Sequence, residues 1–247
     1  MATSMTSTSI PAPRRPAKGI FIDSSITREI QKYFDMGVIR GVTTNPTIML
    51  KDGVKGGLNG IKDKSIEIAS LVHPYPVSVE VLSNDPVQMM EQAQEFSQWA
   101  PNINVKITIH GPHGELENLE VVHQLESSGV RVNVTAMMSA QQCFLAAQAG
   151  ASFISLFCGR INNMGYDSRV EIKKIRGLVE DFSLRSRIIA CSVREAINVT
   201  QWLESGAHIV TVPPPFFPAM LVHPYSKETV QMFLDDAAQL EPYFDSK

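Results

Sequence analysis

The sequence lacks the features of a membrane protein, a disulfide-rich protein or a nucleic-acid-binding protein. No run of about 18 apolar residues occurs, which excludes a transmembrane helix. The net charge is −3, so no basic surplus is present to neutralise nucleic-acid or lipid phosphates. The three cysteines are too few and too scattered for a disulfide framework or a CxxC metal site. We therefore expect a cytoplasmic protein that binds neither nucleic acid nor membranes.

The cysteines are best interpreted as buried free thiols. Cys158 and Cys191 fall in apolar runs that predict strands, and Cys143 falls in a predicted helix. A free cysteine behaves as a small apolar side chain and is among the most frequently buried residues. This interpretation favours a reducing compartment.

The first residues lack the apolar core of a secretory signal. Residues 1–18 are rich in Ser, Thr, Pro and Ala and contain no acidic residue. We interpret them as a disordered N-terminal tail. A transit peptide is the alternative, although Pro11, Pro13 and Pro16 oppose the amphipathic helix that such a peptide requires.

Short β-branched runs alternate with longer amphipathic stretches over the rest of the chain. The eight runs that predict strands are 19–24, 38–45, 77–81, 103–109, 131–137, 152–159, 187–193 and 208–214. The stretches that predict helices are 26–37, 56–72, 85–100, 114–129, 139–150, 168–182 and 194–206, followed by a C-terminal helix over 226–240. Capping signals support the helices: Ser139 and Asp85-Pro86 precede two of them, and a glycine follows the last turn of others.

This alternation predicts an α/β protein in which residues 19–247 form a single (β/α)8 TIM barrel with a C-terminal helix. An open, doubly wound parallel sheet is the runner-up. However, neither G-x-G-x-x-G nor G-x-x-x-x-G-K-[ST] opens any predicted helix, so the nucleotide-binding signatures of that fold are missing.

Polar side chains break the apolar pattern on one face of several strands. Parallel barrel strands should be apolar on both faces, because helices cover the outside and side-chain layers fill the inside. Here polar residues lie late in four successive strands, on one face of each strand, and the late part of the strands is the catalytic end of such a barrel. These residues are Glu80, Lys106, Asn133, Thr135 and Ser155. A buried polar network that only satisfies itself is the structural alternative.

Lys106 is the most informative of these residues. The other lysines lie in tails, loops or polar helix faces, whereas Lys106 is embedded in an apolar strand. Desolvation favours the neutral amine, so a buried lysine can act as a nucleophile and form a Schiff base. A purely structural pairing with a carboxylate is the alternative, and Glu80 on the adjacent predicted strand is the available partner.

Further polar groups end the first two strands. Asp23 closes the first, where it could serve as a helix cap or as an acid/base group. Thr43 and Asn45 close the second, in the sequence Thr-Thr-Asn-Pro. Asn-Pro is a turn signal, and we also expect it to direct the Asn45 amide into the barrel mouth.

A basic cluster follows the sixth and seventh strands. Arg160 comes after the sixth strand, and Ser192 and Arg194 end the seventh. Guanidinium groups bind phosphate oxygens in pairs, and phosphate often binds late in such barrels. We predict a phosphate site here. Surface salt bridges are the alternative.

His110 and His113 are the candidate ligands for a zinc ion. No third ligand has a suitable spacing, and the Gly-Pro between the two histidines is typical of a turn. We therefore expect no metal and no other cofactor. A phosphate-barrel isomerase, which would use a base and no nucleophilic lysine, is a further alternative.

The motifs FIDSS, GVTTNPTIM, VSVEV, NVKITI, VNVTAMMSAQQ, ISLFCGRI and ACSVRE resemble the transaldolase family in order and spacing. The resemblance covers nearly the whole chain from Gly19, and the chain length resembles the short subfamily that includes fructose-6-phosphate aldolase. It implies a TIM barrel, sugar-phosphate substrates, a place in carbohydrate metabolism such as the pentose phosphate pathway, and frequent homo-oligomers. The C-terminal helix carries apolar residues that could dock on a neighbour.

The resemblance also implies a role for each matched residue. Lys106 matches the lysine that attacks the ketose carbonyl, and Asp23 matches the acid/base group that accepts the C4 hydroxyl proton. Glu80 and Thr135 match the pair that holds a catalytic water. The groups around the dihydroxyacetone unit correspond to Thr43, Asn45, Asn133, Ser155 and Phe157, and the phosphate site to Arg160, Ser192 and Arg194.

Three positions separate the two branches of the family. Fructose-6-phosphate aldolases typically carry Gln, Tyr and Lys where this chain has Glu80, Phe157 and Arg194, so the resemblance implies ketol transfer. The family usually has Pro where Thr108 stands and Thr where His110 stands, and these departures leave the acceptor sugar open. Aldolase-type cleavage, a transaldolase of a specialised pathway and a non-catalytic sugar-phosphate-binding barrel are the alternatives.

Overall fold

A computed structural model describes residues 18–240, in which eight parallel strands close into a barrel in sequence order. The predicted TIM barrel is therefore confirmed. The predicted N-terminal tail, apart from Lys18, lies outside the described residues. The strands are β1 Gly19–Asp23, β2 Val42–Thr43, β3 Val77–Glu80, β4 Ile103–Thr108, β5 Val132–Met137, β6 Phe153–Leu156, β7 Arg187–Ala190 and β8 Ile209–Val212.

The helices of the described residues surround the barrel. They are α1 Thr27–Asp35, α2 Pro46–Lys51, α3 Gly57–Val72, α4 Pro86–Ser97, α5 Asn118–Ser127, α6 Ala140–Gln148, α7 Cys158–Asn163, α8 Ser168–Asp181, α9 Ile197–Glu204, α10 Phe216–Leu221 and α11 Pro224–Gln239. The predicted caps are present. The Ser139 side chain accepts a hydrogen bond from the Gln142 backbone amide, and the Asp85 side chain, directly before Pro86, accepts one from the Gln88 backbone amide. No helix in this part of the chain is long and apolar enough to cross a bilayer.

Three short helices, α2, α7 and α10, are not predicted by the sequence pattern. Each occupies what was predicted as a loop or as the end of a strand. The predicted sixth and seventh strands end early, at Leu156 and Ala190. The assignment of Cys158 and Cys191 to strands was therefore wrong, because Cys158 begins α7 and Cys191 lies in the loop after β7. All three cysteines are free and buried, as expected.

The second strand is much shorter than predicted. Only Val42–Thr43 is regular, although the Ile22 amide also donates to the Gly41 carbonyl at 3.0 Å. Gly41 lies against the Phe21 ring, where an added Cβ would come within 2.6 Å of the ring carbons. The close approach of this segment to Phe21 therefore requires glycine.

Apolar side chains fill one part of the barrel interior and leave the rest to polar groups. Phe21, Phe153, Ile189 and Ile209 form a buried cluster, against which Phe157 packs. The outward-facing residues of the strands join a larger core with the surrounding helices. The interior cluster supports the polar side chains that occupy later positions of the same strands.

Candidate active site

Hydrogen bonds between non-neighbouring strands show that the predicted polar face points into the barrel. Asn133 on β5 donates to the Ser78 hydroxyl on β3 at 3.0 Å, across β4. The Ser155 hydroxyl on β6 donates to Asn133 Oδ1 at 2.7 Å. The Thr43 and Thr211 hydroxyls, on β2 and β8, are 2.5 Å apart. The Ser155 bond joins the neighbouring strands β5 and β6, whereas the Asn133–Ser78 and Thr43–Thr211 bonds each pass an intervening strand and can form only through the barrel interior.

Lys106 is the buried cation of this interior. It is 6% exposed, and its Nζ donates to the Thr44 carbonyl oxygen at 2.8 Å. The same nitrogen lies 3.1 Å from Glu80 Oε2 on the neighbouring strand. Register places Glu80 directly beside Lys106, as the sequence predicted. The pairing lowers the cost of burying the amine and leaves a carboxylate within reach of its protons.

Asp23 lies at the end of β1, beside Thr43 of β2. The Thr43 hydroxyl donates to Asp23 Oδ1 at 2.6 Å. Burial raises the pKa of Asp23, and the nearby charges of Asp52 and Glu80 add to that rise. The Thr43 hydrogen bond and the positive charge of Lys106 oppose it. A carboxylate with a raised pKa is a better base near neutral pH.

Thr135, like Asn104 on β4, has no side-chain hydrogen-bond partner among residues 18–240. Its hydroxyl oxygen is buried and forms no hydrogen bond with any described residue. It pairs in register with Thr108, two residues beyond Lys106. A buried hydroxyl without a partner is costly unless it binds a small molecule.

Asn45 has a structural task that the sequence pattern did not assign. Its Oδ1 caps α2 by accepting from the Ile48 amide at 2.8 Å. Within residues 18–240 its amide nitrogen forms no hydrogen bond, which leaves that group for a ligand. The cap and the predicted substrate contact are compatible, because they use different atoms.

The three residues predicted to bind phosphate come from two adjoining segments: Arg160 lies in α7, and Ser192 and Arg194 lie in the loop after β7. An added Cβ at Gly159 would come within 3.1 Å of the Ser192 Cβ, so the backbones on which Arg160 and Ser192 lie are in contact. Ser192 has a φ of 65°, in the left-handed region. Arg160 and Arg194 are both exposed. The Arg160 guanidinium lies 5.0 Å from the centre of the Phe157 ring.

Neither guanidinium forms an ion pair with any carboxylate of the described residues. The salt-bridge alternative for this cluster is therefore not supported. Two exposed cations without carboxylate partners would attract an anion to this rim of the barrel.

His110 and His113 contact their own loop. His110 Nδ1 lies 2.7 Å from the Gly111 carbonyl oxygen, and the His113 amide donates to Glu115 Oε2 at 2.8 Å. In the described part of the chain, no group of three or more His, Cys, Asp or Glu side chains is placed to hold a metal ion.

Several interior groups are not predicted by the sequence pattern. The Thr44 carbonyl accepts a hydrogen bond from Lys106, and the Thr211 hydroxyl forms one with the Thr43 hydroxyl. The Asp52 carboxylate accepts a hydrogen bond from the segment that follows Asp23. The polar residue within the apolar eighth strand was a signal for Thr211. A backbone carbonyl and a long-range carboxylate contact leave no sequence signal.

Comparison with known proteins gives a family match over nearly the whole chain. Residues 20–246 match the family described as transaldolase/fructose-6-phosphate aldolase. The chain is 38% identical over 217 residues to a "Probable transaldolase" of Carboxydothermus hydrogenoformans, covering 88% of this chain and 96% of that protein. It is 36% identical over 217 residues to a "Probable transaldolase" of Dehalococcoides mccartyi, with the same coverage of 88% and 96%.

Among solved structures, a thiamine phosphate pyrophosphorylase from Pyrococcus furiosus is similar with a TM-score of 0.57 and 9% identity. That similarity covers 81% of this chain and 87% of the other. At this identity the similarity concerns the barrel fold alone.

Proposed function

The chain belongs to the transaldolase/fructose-6-phosphate aldolase family of enzymes, and on that premise we propose that it transfers a dihydroxyacetone unit between sugar phosphates through an imine at Lys106. The observation that carries this proposal is the buried amine of Lys106 inside the barrel, between a carboxylate and a backbone carbonyl. Such an amine is placed for nucleophilic attack on a carbonyl carbon.

The reaction begins when Lys106 Nζ attacks the C2 carbonyl of a ketose phosphate. The resulting carbinolamine loses water to form the protonated imine. Glu80, 3.1 Å from the amine, accepts the proton that Nζ must lose, and with Thr135 it holds the water that leaves. The buried Thr135 hydroxyl supports this assignment because no described residue occupies its hydrogen-bonding capacity.

Asp23 then removes the proton of the C4 hydroxyl. The C3–C4 bond breaks, its electron pair moves into the imine, and an aldose phosphate leaves. The raised pKa of Asp23 suits this step, because the carboxylate must hold the proton until the acceptor aldehyde takes it back. Asn133, Ser155, Thr43 and Asn45 hold the hydroxyls of the retained three-carbon unit.

Ketol transfer and aldolase-type cleavage are separated by a simple assay. The protein is incubated with fructose 6-phosphate, alone and with erythrose 4-phosphate. A transaldolase forms seven-carbon product with the acceptor and releases little free dihydroxyacetone without it. Steady release of dihydroxyacetone in the absence of any acceptor would instead establish the aldolase activity. Binding without either product would favour a non-catalytic barrel.

The acceptor depends on the loop that follows β4. Thr108 and His110 occupy positions where the family usually has other residues. The Thr108 hydroxyl donates to Asn84 Oδ1 at 3.3 Å and accepts from Asn118 Nδ2 at 3.1 Å, so it joins this strand end to two neighbouring segments. A panel of aldose phosphates of different chain length, tested as acceptors, distinguishes a central from a specialised pathway.

The arginines Arg160 and Arg194, with Ser192, form the phosphate site in this proposal. We expect Arg194→Ala to raise KM for fructose 6-phosphate about 10–100-fold, because each charge-assisted phosphate contact contributes about 1.5–3 kcal/mol. kcat should change little. Cleavage of unphosphorylated fructose, measured as kcat/KM, should not change. Arg169→Ala, which removes an exposed arginine paired with Asp167, is the matched control. Equal losses with both sugars would contradict the assignment.

We also propose that the protein is a cytoplasmic homo-oligomer. No residue of α11 is buried, and Val230, Phe233 and Leu234 are 55%, 61% and 59% exposed. Burying these side chains against a second copy would stabilise the assembly. Sedimentation equilibrium tests this, and a monomer at micromolar concentration would contradict it. The free cysteines support the reducing compartment, and cell fractionation tests the location.

A further inference from the structure

Asp52, the residue that follows α2, binds the segment directly after Asp23. Its Oδ2 accepts from the Ser25 amide at 2.8 Å, from the Ser25 hydroxyl at 2.9 Å and from the Ser24 hydroxyl at 3.4 Å. Both serines are almost fully buried, Ser24 at 2% and Ser25 at 1% exposure. One carboxylate oxygen therefore collects the polar groups of the β1–α1 turn.

The same short helix connects Asp52 to the second strand. Asn45 caps the start of α2, and Asp52 directly follows its last residue. Thr43, two residues before the Asn45 cap, donates to Asp23 Oδ1 at 2.6 Å. Asp23 is thus held at two points. Thr43 binds its carboxylate, and Asp52 fixes the backbone that follows it.

Asp52 also belongs to the set of charges that act on Asp23. Burial is the largest cause of the raised pKa of Asp23, and the negative charges of Asp52 and Glu80 raise it further, against the Thr43 hydrogen bond and the positive charge of Lys106. Within residues 18–240 the Cys191 thiol also interacts with Asp23. Burial raises the pKa of this thiol to about 12, so it stays neutral.

We propose that Asp52 is a positioning residue for the acid/base carboxylate of Asp23. It fixes the β1–α1 turn through the two serines, and its negative charge keeps Asp23 a stronger base than the site would otherwise allow. This inference rests on the proposed function, since it assigns a partner to the residue that moves the C4 proton. A purely structural role, as an anion near the start of α1, would affect only folding stability.

The test is the pH dependence of kcat/KM for ketol transfer in Asp52→Asn. Rates are divided by the concentration of active sites, which is measured as the protein that borohydride traps with fructose 6-phosphate. Asparagine keeps the size of the side chain and removes the charge. Asp23 must be ionised to act as a base, so the rate rises with pH through its pKa. Removing a neighbouring negative charge lowers that pKa, so the acid limb should move to lower pH, by roughly 0.3–1 unit. The plateau should fall about two- to threefold, because a weaker base is a poorer catalyst.

Two further variants serve as controls for the charge of Asp52. Asp52→Glu restores the charge and should return the limb to its wild-type position. Asp35→Asn neutralises an exposed carboxylate of α1, paired only with Gln31 among the described residues, and should leave the profile unchanged. If Asp52→Asn fails to fold, Ser25→Ala removes one hydrogen bond and keeps the charge. It should lower kcat about threefold with the limb in place, and an unchanged kcat would overturn the positioning role.

The outcomes separate this inference from the function on which it rests. If wild-type protein forms no trapped adduct, the proposed function fails, whatever Asp52 does. If wild type and Asp52→Asn are both trapped and their acid limbs coincide, only the role of Asp52 is overturned. A lower melting temperature with a superimposable pH profile would likewise overturn only the role of Asp52.

Discussion

Replacing Lys106 by methionine should abolish the covalent adduct that borohydride traps between the protein and fructose 6-phosphate. Wild-type protein should gain one dihydroxyacetone-sized mass, whereas the variant should gain none. Ketol transfer should fall at least about 10⁴-fold, because the only nucleophile of the proposed mechanism is removed. Intact-mass spectrometry after borohydride treatment measures the adduct, and a coupled assay measures the rate.

Methionine is close to lysine in length and should preserve packing, although it leaves Glu80 without its cation at 3.1 Å. Glu80 keeps 17% of its side-chain surface exposed, so water can compensate for part of that loss. Lys106→Arg separates charge from nucleophilicity: it retains a cation beside Glu80 and should be equally inactive. Lys64→Met breaks the surface pair with Glu67 and should retain full activity. An adduct on Lys106→Met, or none on wild type, would refute an imine at Lys106.

The alternation of side chains made the interior of the barrel predictable. In β3 and β4 the polar residues have equal parity along each strand, and the structure buries Ser78, Asn104 and Lys106. Parity works here because a strand presents successive side chains to opposite faces. The pairing of Glu80 with Lys106 followed from the order of neighbouring strands, which a (β/α)8 barrel fixes.

Where strands stop was much harder to predict. The run from Ser152 to Gly159 is mostly apolar, and composition alone cannot show that Phe157 leaves the extended conformation, at φ −82° and ψ 63°. α7 begins immediately afterwards. Apolar residues near a barrel mouth are buried whether they are helical or extended, so hydrophobicity does not distinguish the two.

Partners contributed by the backbone or by distant loops were beyond sequence reasoning. The Thr44 carbonyl accepts from Lys106, 62 residues away in the chain. Asp52 has the sequence context of an ordinary loop carboxylate, and only the fold brings it to Ser25. Asn45 was predicted as a substrate contact and a turn residue, yet its oxygen caps α2.

Replacing Asp23 by asparagine should stop the reaction after the imine has formed. The variant keeps the amine of Lys106, so the ketose still bonds to the protein. Without a base for the C4 hydroxyl, the C3–C4 bond stays intact. Borohydride should then trap the whole six-carbon ketose phosphate, in place of the three-carbon unit expected on wild type. The transfer rate should fall by about 10²–10⁴-fold, the usual contribution of a positioned acid/base group.

The Asp23→Asn side chain can still accept the Thr43 hydrogen bond, so the geometry of the site should persist. Thr43→Val provides the matched control, since it removes the partner and keeps the carboxylate. It should be slower than wild type yet still yield the three-carbon adduct. The trapped mass therefore reports which bond has broken, independently of the rate. A three-carbon adduct on Asp23→Asn would show that another group removes the C4 proton, whereas no adduct would place Asp23 before imine formation.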